Sequence, residues 1–129
     1  MGEIKTVVQG DLTMMKAIGS ISLNEVIDAL EEFYSSNTTK LVAWDLTSTS
    51  AAQLNTADIE QIAKFVRSNS HVRAGGRTAI IAPNDLEFGI GRMLDVLSEI
   101  HDVQLAVATF RKFSDAAKWL GVESLPCID

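Results

Sequence analysis

The spacing of apolar positions changes along the chain between the period of a strand and the period of a helix. Residues 4–9 and 13–18 are short runs rich in Val, Ile, Thr and Met, and the pair Gly10-Asp11 between them suits a tight two-residue turn. These two runs predict an antiparallel β-hairpin at the start of the chain.

Three later runs are apolar, short and flanked by polar or glycine-rich segments, as is typical of strands covered on both faces of a sheet. They are residues 41–46, 78–82 and 103–110. The first run is predicted to be the central strand. Because successive strand residues point to opposite faces, Trp44 is expected to be largely buried and to share its side of the sheet with Val42.

Apolar residues at helical spacing predict four helices. The first begins with Ser22 and Glu25, which have the spacing of a capping box. The second covers about residues 56–68 and follows Asn55, whose side chain is expected to accept the backbone N–H of Asp58.

The third helix is predicted to follow Asn84 and to direct most of its apolar residues toward the core. The residues expected to face inward are Leu86, Ile90, Met93, Leu94, Leu97 and Ile100. Phe88 and Val96 project elsewhere. The packing face expected for the last helix consists of Phe113, Ala116, Ala117 and Leu120.

The resulting order, β-β-α-β-α-β-α-β-α, predicts an α/β fold with a mixed, mostly parallel sheet of about five strands and four helices. A chain of 129 residues suits one domain, so residues 1–129 are predicted to form a single domain.

The composition narrows the classes of partner. The formal net charge of −6 opposes binding to nucleic acid or to an anionic membrane. No apolar run approaches the ~20 residues needed to cross a bilayer, so no membrane insertion is expected. The lone Cys127 excludes an intrachain disulfide, and a cytoplasmic location is expected. Two interpretations stay open for Arg67, Arg73 and Arg77: a solvated rim or an anion-facing patch.

The segment after the central strand holds the candidate contact residues. Residues 47–50 are rich in hydroxyl groups and are predicted to form a loop between the strand and the second helix, where open α/β sheets often bind ligands or partners. Asp45 precedes this loop. It is predicted either to have a perturbed pKa or to hold the loop by accepting hydrogen bonds from its N–H groups.

Motifs that link residue spacing to a reaction are absent, so we expect a non-enzymatic protein with no catalytic residues, no metal and no cofactor. The remaining alternative is an unrecognised enzyme that uses Asp45. The segment Gly89-Ile90-Gly91 begins like a dinucleotide-binding motif, but the third glycine is missing and the segment lies within a predicted helix.

The chain resembles the SpoIIAA-like family, small proteins related in fold to the STAS domains of bacterial anti-sigma-factor antagonists. The hairpin carries this resemblance together with six segments: LVAWDL at 41–46, ADI at 57–59, GRTAII at 76–81, FGIGRM at 88–93, FR at 110–111 and AAKWL at 116–120. The resemblance implies a single STAS-like domain that acts in regulation through protein–protein contacts.

Antagonists of this fold are switched by phosphorylation at the start of the helix after the central strand, where Thr56 stands in this chain. The candidates for partner binding or for such a switch are Asp45, Thr47, Ser48, Asn55, Thr56 and Asp58. The chain lacks the Ser-Gly end of the antagonists' Asp-Ser-Ser-Gly motif, and the alternative is that Asn55 and Thr56 only cap the helix.

The fold is also similar to that of lipid-binding CRAL-TRIO domains, which implies a small apolar or lipid-like ligand as the alternative function. The candidates for a ligand site or for a homodimer contact are Phe65, Phe88, Gly89, Arg92 and Val96. Tight packing of the third helix on the sheet is the alternative explanation for Phe88 and Val96. Phe65, Phe88 and Val96 are expected to stay partly exposed in one chain or to be covered by a second copy.

Overall fold

The architecture was examined in a computed structural model, which describes residues 2–36, 38–100 and 103–128. The five strands are β1 (Glu3–Gln9), β2 (Leu12–Ser20), β3 (Leu41–Ser50), β4 (Arg77–Ile81) and β5 (Ala106–Phe110). The four α-helices are α1 (Leu23–Ser35), α2 (Thr56–Asn69), α3 (Asp85–Ile100) and α4 (Phe113–Leu120). A short 3-10 helix, Ser70–Arg73, follows α2.

The strands form one sheet in the order β1-β2-β3-β4-β5, so β3 is the central strand, as predicted. The pair β1 and β2 is antiparallel, and the other neighbouring pairs are parallel. The predicted α/β class and the order of the elements are therefore confirmed. No α-helix in the described part of the chain is long and apolar enough to cross a membrane.

Helices cover the two faces of the sheet unequally. On one face, buried residues of α1 and α2 pack against β3 and β4 around Leu46 and Ile80. On the other face, Ala116 and Leu120 of α4 pack against Ala43 of β3. Trp44 shares its face with Val42, as predicted, but it is only half-buried.

Strand β3 is longer than predicted and includes residues 47–50, which the sequence assigned to a loop. The register between β2 and β3 passes from Lys16 opposite Asp45 to Ile18 opposite Ser48, so β3 carries one extra residue in a bulge. Pairing with β4 ends at Asp45, whereas β2 continues alongside β3. The polar residues extend the strand because β2 still pairs with them, and the Thr49 hydroxyl, which is buried, donates to the Gly19 carbonyl at 2.6 Å.

The predicted inward face of α3 is wrong for three residues. Leu86, Met93 and Ile100 are 51 %, 37 % and 68 % exposed. The buried residues of the helix are Glu87, Ile90, Gly91 and Ser98. Gly91 decides this orientation, because it has no side chain and lets α3 lie directly on Thr109 of β5.

The start of the last strand and the exposure of Phe113 also differ from the prediction. The last strand begins at Ala106 and not at residue 103, because the preceding segment belongs to the connection that follows α3. Phe113, at the first position of α4, is 41 % exposed, while the other predicted packing residues of that helix are buried. Gly121 ends α4 with a φ of 80°, a conformation that glycine adopts without strain.

Candidate functional site

The carboxylate of Asp45 is enclosed at the point where β3 bulges. Asp45 is buried, with 5 % of its surface exposed. The Asp45 Oδ1 atom accepts a hydrogen bond from the Thr47 N–H at 2.9 Å and another from the Thr47 hydroxyl at 2.6 Å. These bonds hold the bulged part of β3 and correspond to the loop-holding interpretation of Asp45.

The start of α2 carries a reciprocal capping box. The Asn55 Oδ1 atom accepts the Asp58 N–H at 2.8 Å, as predicted, and the Asp58 carboxylate accepts the Asn55 N–H at 3.1 Å. Thr56 occupies the first helical position and is exposed. Its hydroxyl is therefore accessible at the end of a helix where the backbone favours negative charge.

The predicted contact residues fall into two groups on different sides of the sheet. Because strand residues alternate, Asp45 lies on the same face as Ala43, which packs on α4. Leu46 lies on the opposite face and packs with Ile62 of α2. Asp45 and Thr47 thus come together in one place, while Asn55, Thr56 and Asp58 come together at the start of α2.

Glu87 fixes the connection between β3 and α2, a role that the sequence interpretation missed. Its side chain is 4 % exposed, and its Oε2 atom accepts the Ala51 N–H at 3.0 Å. In the sequence, Glu87 has the spacing of a capping residue after Asn84. Only the folded chain brings it next to a residue 36 positions earlier.

A cavity of about 100 Å³ lies between the sheet and helices α1, α2 and α3. Most of its wall is aliphatic or aromatic, and the residues that line it include Phe33, Trp44, Leu54 and Leu94. The polar residues in the wall are Tyr34, Arg73, Thr78 and Ser98. The cavity is therefore an apolar chamber with a few hydrogen-bonding groups.

Arg73 is buried next to this cavity. It therefore belongs neither to a solvated rim nor to an anion-facing patch, the two interpretations offered for the arginine cluster. Its exposure is 2 %, and its guanidinium lies 5.5 Å from the centre of the Phe33 ring. The guanidinium donates hydrogen bonds to the Thr78 hydroxyl and to the backbone carbonyls of Thr39, Lys40 and Arg77. Burial lowers the pKa of Arg73, and a hydrogen bond with Tyr34 opposes that shift.

The sequence could not show that the 3-10 helix turns Arg73 inward to join the beginnings of β3 and β4. Arg67 and Arg77, the other two members of the cluster, are exposed. Arg77 donates a hydrogen bond to the Trp119 carbonyl at 2.5 Å.

The two aromatic candidates keep part of their surface exposed while packing within the chain. Phe65 is half-buried, with its ring centre 6.2 Å from that of Tyr34. Phe88 is half-buried under the Arg111 guanidinium, which lies 4.2 Å from the ring centre. Their use in a ligand site or a dimer contact stays a prediction.

The other three candidates of that group lie on the exposed side of α3. Val96 is 47 % exposed, and a side chain at Gly89 would meet no atom within 4 Å. Arg92 is exposed and forms an ion pair with Asp95 at 3.1 Å. The structure thus separates Gly89, Arg92 and Val96 from Phe65 on α2.

The described residues include no group of three or more His, Cys, Asp or Glu side chains arranged to hold a metal ion. His71 and Cys127 are both exposed. His101 lies outside the described residues.

Comparison with solved structures identifies the fold. A crystal structure of an uncharacterised DUF3478-family protein from Shewanella loihica, described as having a SpoIIAA-like fold, matches with a TM-score of 0.53 and 18% sequence identity. The match covers 92% of this chain and 93% of that one. The fold is SpoIIAA-like. No family model matches the chain, and no curated protein matches it in sequence.

Proposed function

We propose that this SpoIIAA-like chain is a non-enzymatic regulatory module that binds a protein partner at the beginning of α2. The contact surface, which we call the α2-start surface, consists of Asn55, Thr56 and Asp58, and Ser48 lies apart from it in β3. Ser48, Asn55 and Thr56 are exposed, and Asp58 is half-buried in the capping box. Asp45 and Thr47, which bond to each other within β3, are not part of this surface.

The observation that carries this proposal is the rigid attachment of an exposed segment. Glu87 holds Ala51, Gln53 donates to the Ser20 hydroxyl, and the capping box fixes Asn55. Side chains that are held in place before binding lose less conformational entropy when a partner docks. A well-held exposed segment is therefore suited to recognition.

The position of Thr56 supports regulation by a charged modification. A phosphate at the first position of α2 would lie next to backbone N–H groups that favour an anion by ~0.3–1 kcal/mol. The Asp58 carboxylate in the same turn opposes part of this gain. The fold should therefore tolerate the added charge, while a partner packed flush against the surface would be displaced.

The test compares Thr56→Glu with Thr56→Ala in a pull-down from lysate of the natural host. Thr56→Glu should fold normally by circular dichroism and lose the partners that wild type captures, whereas Thr56→Ala should keep them. Gln61→Glu is a matched control, because Gln61 is exposed on the same helix and the change adds the same charge. Equal recovery with wild type and Thr56→Glu would reject the switch.

The apolar cavity favours a second candidate function, the binding of a small apolar molecule. Engineered cavities of about 150 Å³ with similar walls bind benzene. The cavity here, about 100 Å³, is of comparable size and has a mostly apolar wall. A molecule bound there would be covered by α1, α2 and α3.

Native mass spectrometry of protein purified from its own host should then detect a bound small molecule. In a thermal unfolding experiment, benzene should raise the Tm of wild type and have a smaller effect on Ala63→Leu. Ala63 lines the cavity, so the larger side chain takes up part of its volume. Absence of any benzene effect on wild type, together with a ligand-free mass, would rule out this function.

A further inference from the structure

Strand β1 forms one edge of the sheet, and in the described part of the chain only its side toward β2 pairs with another strand. The hairpin turn between Gln9 and Leu12 has two residues, so a hydrogen bond joins these two flanking residues. Bonded and non-bonded pairs alternate along an antiparallel ladder. The backbone N–H and C=O groups of Ile4, Thr6 and Val8 therefore point away from β2, where a further strand would bind them.

A groove of about 350 Å³ lies beside this edge, between β1 and α1. The side chains of Ile4, Thr6 and Val8 line it, together with Ala29 and Phe33 of α1. Thr6 and Val8 are exposed. Residues that stand opposite each other in neighbouring strands project to the same face of a sheet. An extended segment paired with β1 would therefore direct every second side chain into this groove.

The α1 side of the groove is acidic. Glu25, Asp28 and Glu32 line it, and their spacing of three and four residues places them in one row along the helix. Glu25 also belongs to the capping box of α1. Asp28 and Glu32 are exposed, and neither forms an ion pair with another described residue. The described residues that line the groove include no Lys, Arg or His, so the row attracts a cationic partner.

The spacing of the acidic row matches that of an extended segment. Helix α1 follows β2 and begins at the end of the sheet where β1 starts, so the row and the strand run side by side. Neighbouring carboxylates of the row are separated by about 4.5 and 6 Å along the helix axis. Alternate residues of a strand lie about 6.6 Å apart on one face. Flexible Lys or Arg side chains at every second position of the segment would reach successive carboxylates.

A second copy of this chain does not suit the groove. Antiparallel pairing of two β1 strands would place the two acidic rows next to each other on one face of the joined sheet. Like charges at that distance oppose association, as does the net charge of −6 on each copy. Nucleic acid and anionic membranes are disfavoured by the same charge.

We propose that β1 and this groove bind an extended basic segment of another protein, which adds to the sheet as a sixth strand. Backbone hydrogen bonds to Ile4, Thr6 and Val8 hold the segment, and its Lys or Arg side chains at alternate positions contact the acidic row. No residue of the α2-start surface lines the groove, so binding at either surface is tested without the other.

Fluorescence anisotropy with a labelled peptide, Lys-Thr-Lys-Val-Lys-Thr-Lys, tests the charge match. Wild type should bind the peptide. Asp28→Lys combined with Glu32→Lys should raise the dissociation constant at least about tenfold, because attraction becomes repulsion. Absence of binding to wild type would overturn the proposal.

Glu31→Lys combined with Glu60→Lys is the matched control. Both residues are exposed on helices, neither lines the groove, and the net charge changes by the same amount. This variant should change the dissociation constant less than about threefold, since salt screens distant charges. Circular dichroism establishes that both double variants are folded. Equal weakening by the two double variants would overturn the contact with the acidic row.

Backbone methylation of the same peptide tests strand addition without any change to the protein. Only alternate N–H groups of an added strand point toward β1. One peptide is N-methylated at the two Lys residues nearest its centre, and the other at its two Thr residues. Their affinities should differ at least about fivefold, because only one of them loses hydrogen bonds to β1. Weaker binding of the Lys-methylated peptide indicates antiparallel addition, and weaker binding of the Thr-methylated peptide indicates parallel addition. Equal affinities would overturn strand addition.

Discussion

Helices α1 and α3 both follow the apolar pattern of an amphipathic helix, yet the structure uses that pattern differently in each. In α1, the apolar stripe is the buried side, and the helix begins at the predicted capping box, with the Ser22 N–H donating to Glu25 at 2.8 Å. In α3, apolar residues lie on two sides, and only one side faces the core. An apolar period therefore predicts a helix, but it does not show which apolar side of that helix faces the core.

The largest expected effect separates the buried side of α1 from the exposed apolar residues of α3. Leu30→Ala should lower the free energy of unfolding by ~2–5 kcal/mol, because Leu30 is 6% exposed in the main core. Met93→Ala should change it by at most about 0.5 kcal/mol in the monomer. Urea unfolding at low protein concentration measures both. A cost for Met93→Ala as large as that for Leu30→Ala would show that Met93 belongs to the core.

An intermediate effect distinguishes the two sides of α3 through its glycines. A Cβ atom at position 91 would lie 2.6 Å from Thr109 Cγ2 and 3.2 Å from Ile80 Cγ2, so Gly91→Ala should cost ~1–3 kcal/mol of stability. Gly89→Ala meets no atom within 4 Å and should stabilise the helix by ~0.5–1 kcal/mol. Chemical denaturation of both variants gives the comparison. Equal effects would mean that α3 does not rest on β5 through Gly91.

The sequence predicted the features that local rules determine. The hairpin turn, the capping residues Ser22 and Asn55, and the central position of β3 depend on residue type and short spacing, and the structure has all of them. The length of β3 depends on a bulge and on where β4 stops pairing, and neither is visible in one strand's own sequence.

The candidate site was less predictable because its key contacts join distant parts of the chain. Glu87 reaches Ala51, and Arg73 reaches the carbonyls of Thr39 and Lys40, across 33 to 36 sequence positions. Charged residues are rarely buried, so hydrophobic patterning places such side chains at the surface. The side of α3 that faces the core was predicted wrongly for a related reason. Gly91 packs directly on β5, but it has no apolar side chain that a hydrophobic pattern could register.

The smallest expected effect is a pH dependence at Asp95, which lies between the two sides of α3. Its side chain is 14% exposed. Burial raises the pKa of the Asp95 carboxyl, the charge of Arg92 opposes this shift, and the charge of Glu99 adds to it. Because the folded state binds this proton more tightly than the unfolded chain does, the contribution of Asp95 to stability falls as pH rises from 3.8 through the raised pKa.

Asp95→Asn should remove this decline, so the stability of the variant relative to wild type should increase between pH 4 and neutrality. Arg92→Gln should act in the opposite direction, because loss of the neighbouring cation raises the pKa of Asp95 further and deepens the decline. Urea unfolding midpoints across this pH range, again at low protein concentration, measure both slopes. If the two variants changed the slope in the same direction, the titration of Asp95 would not be the cause of the pH dependence.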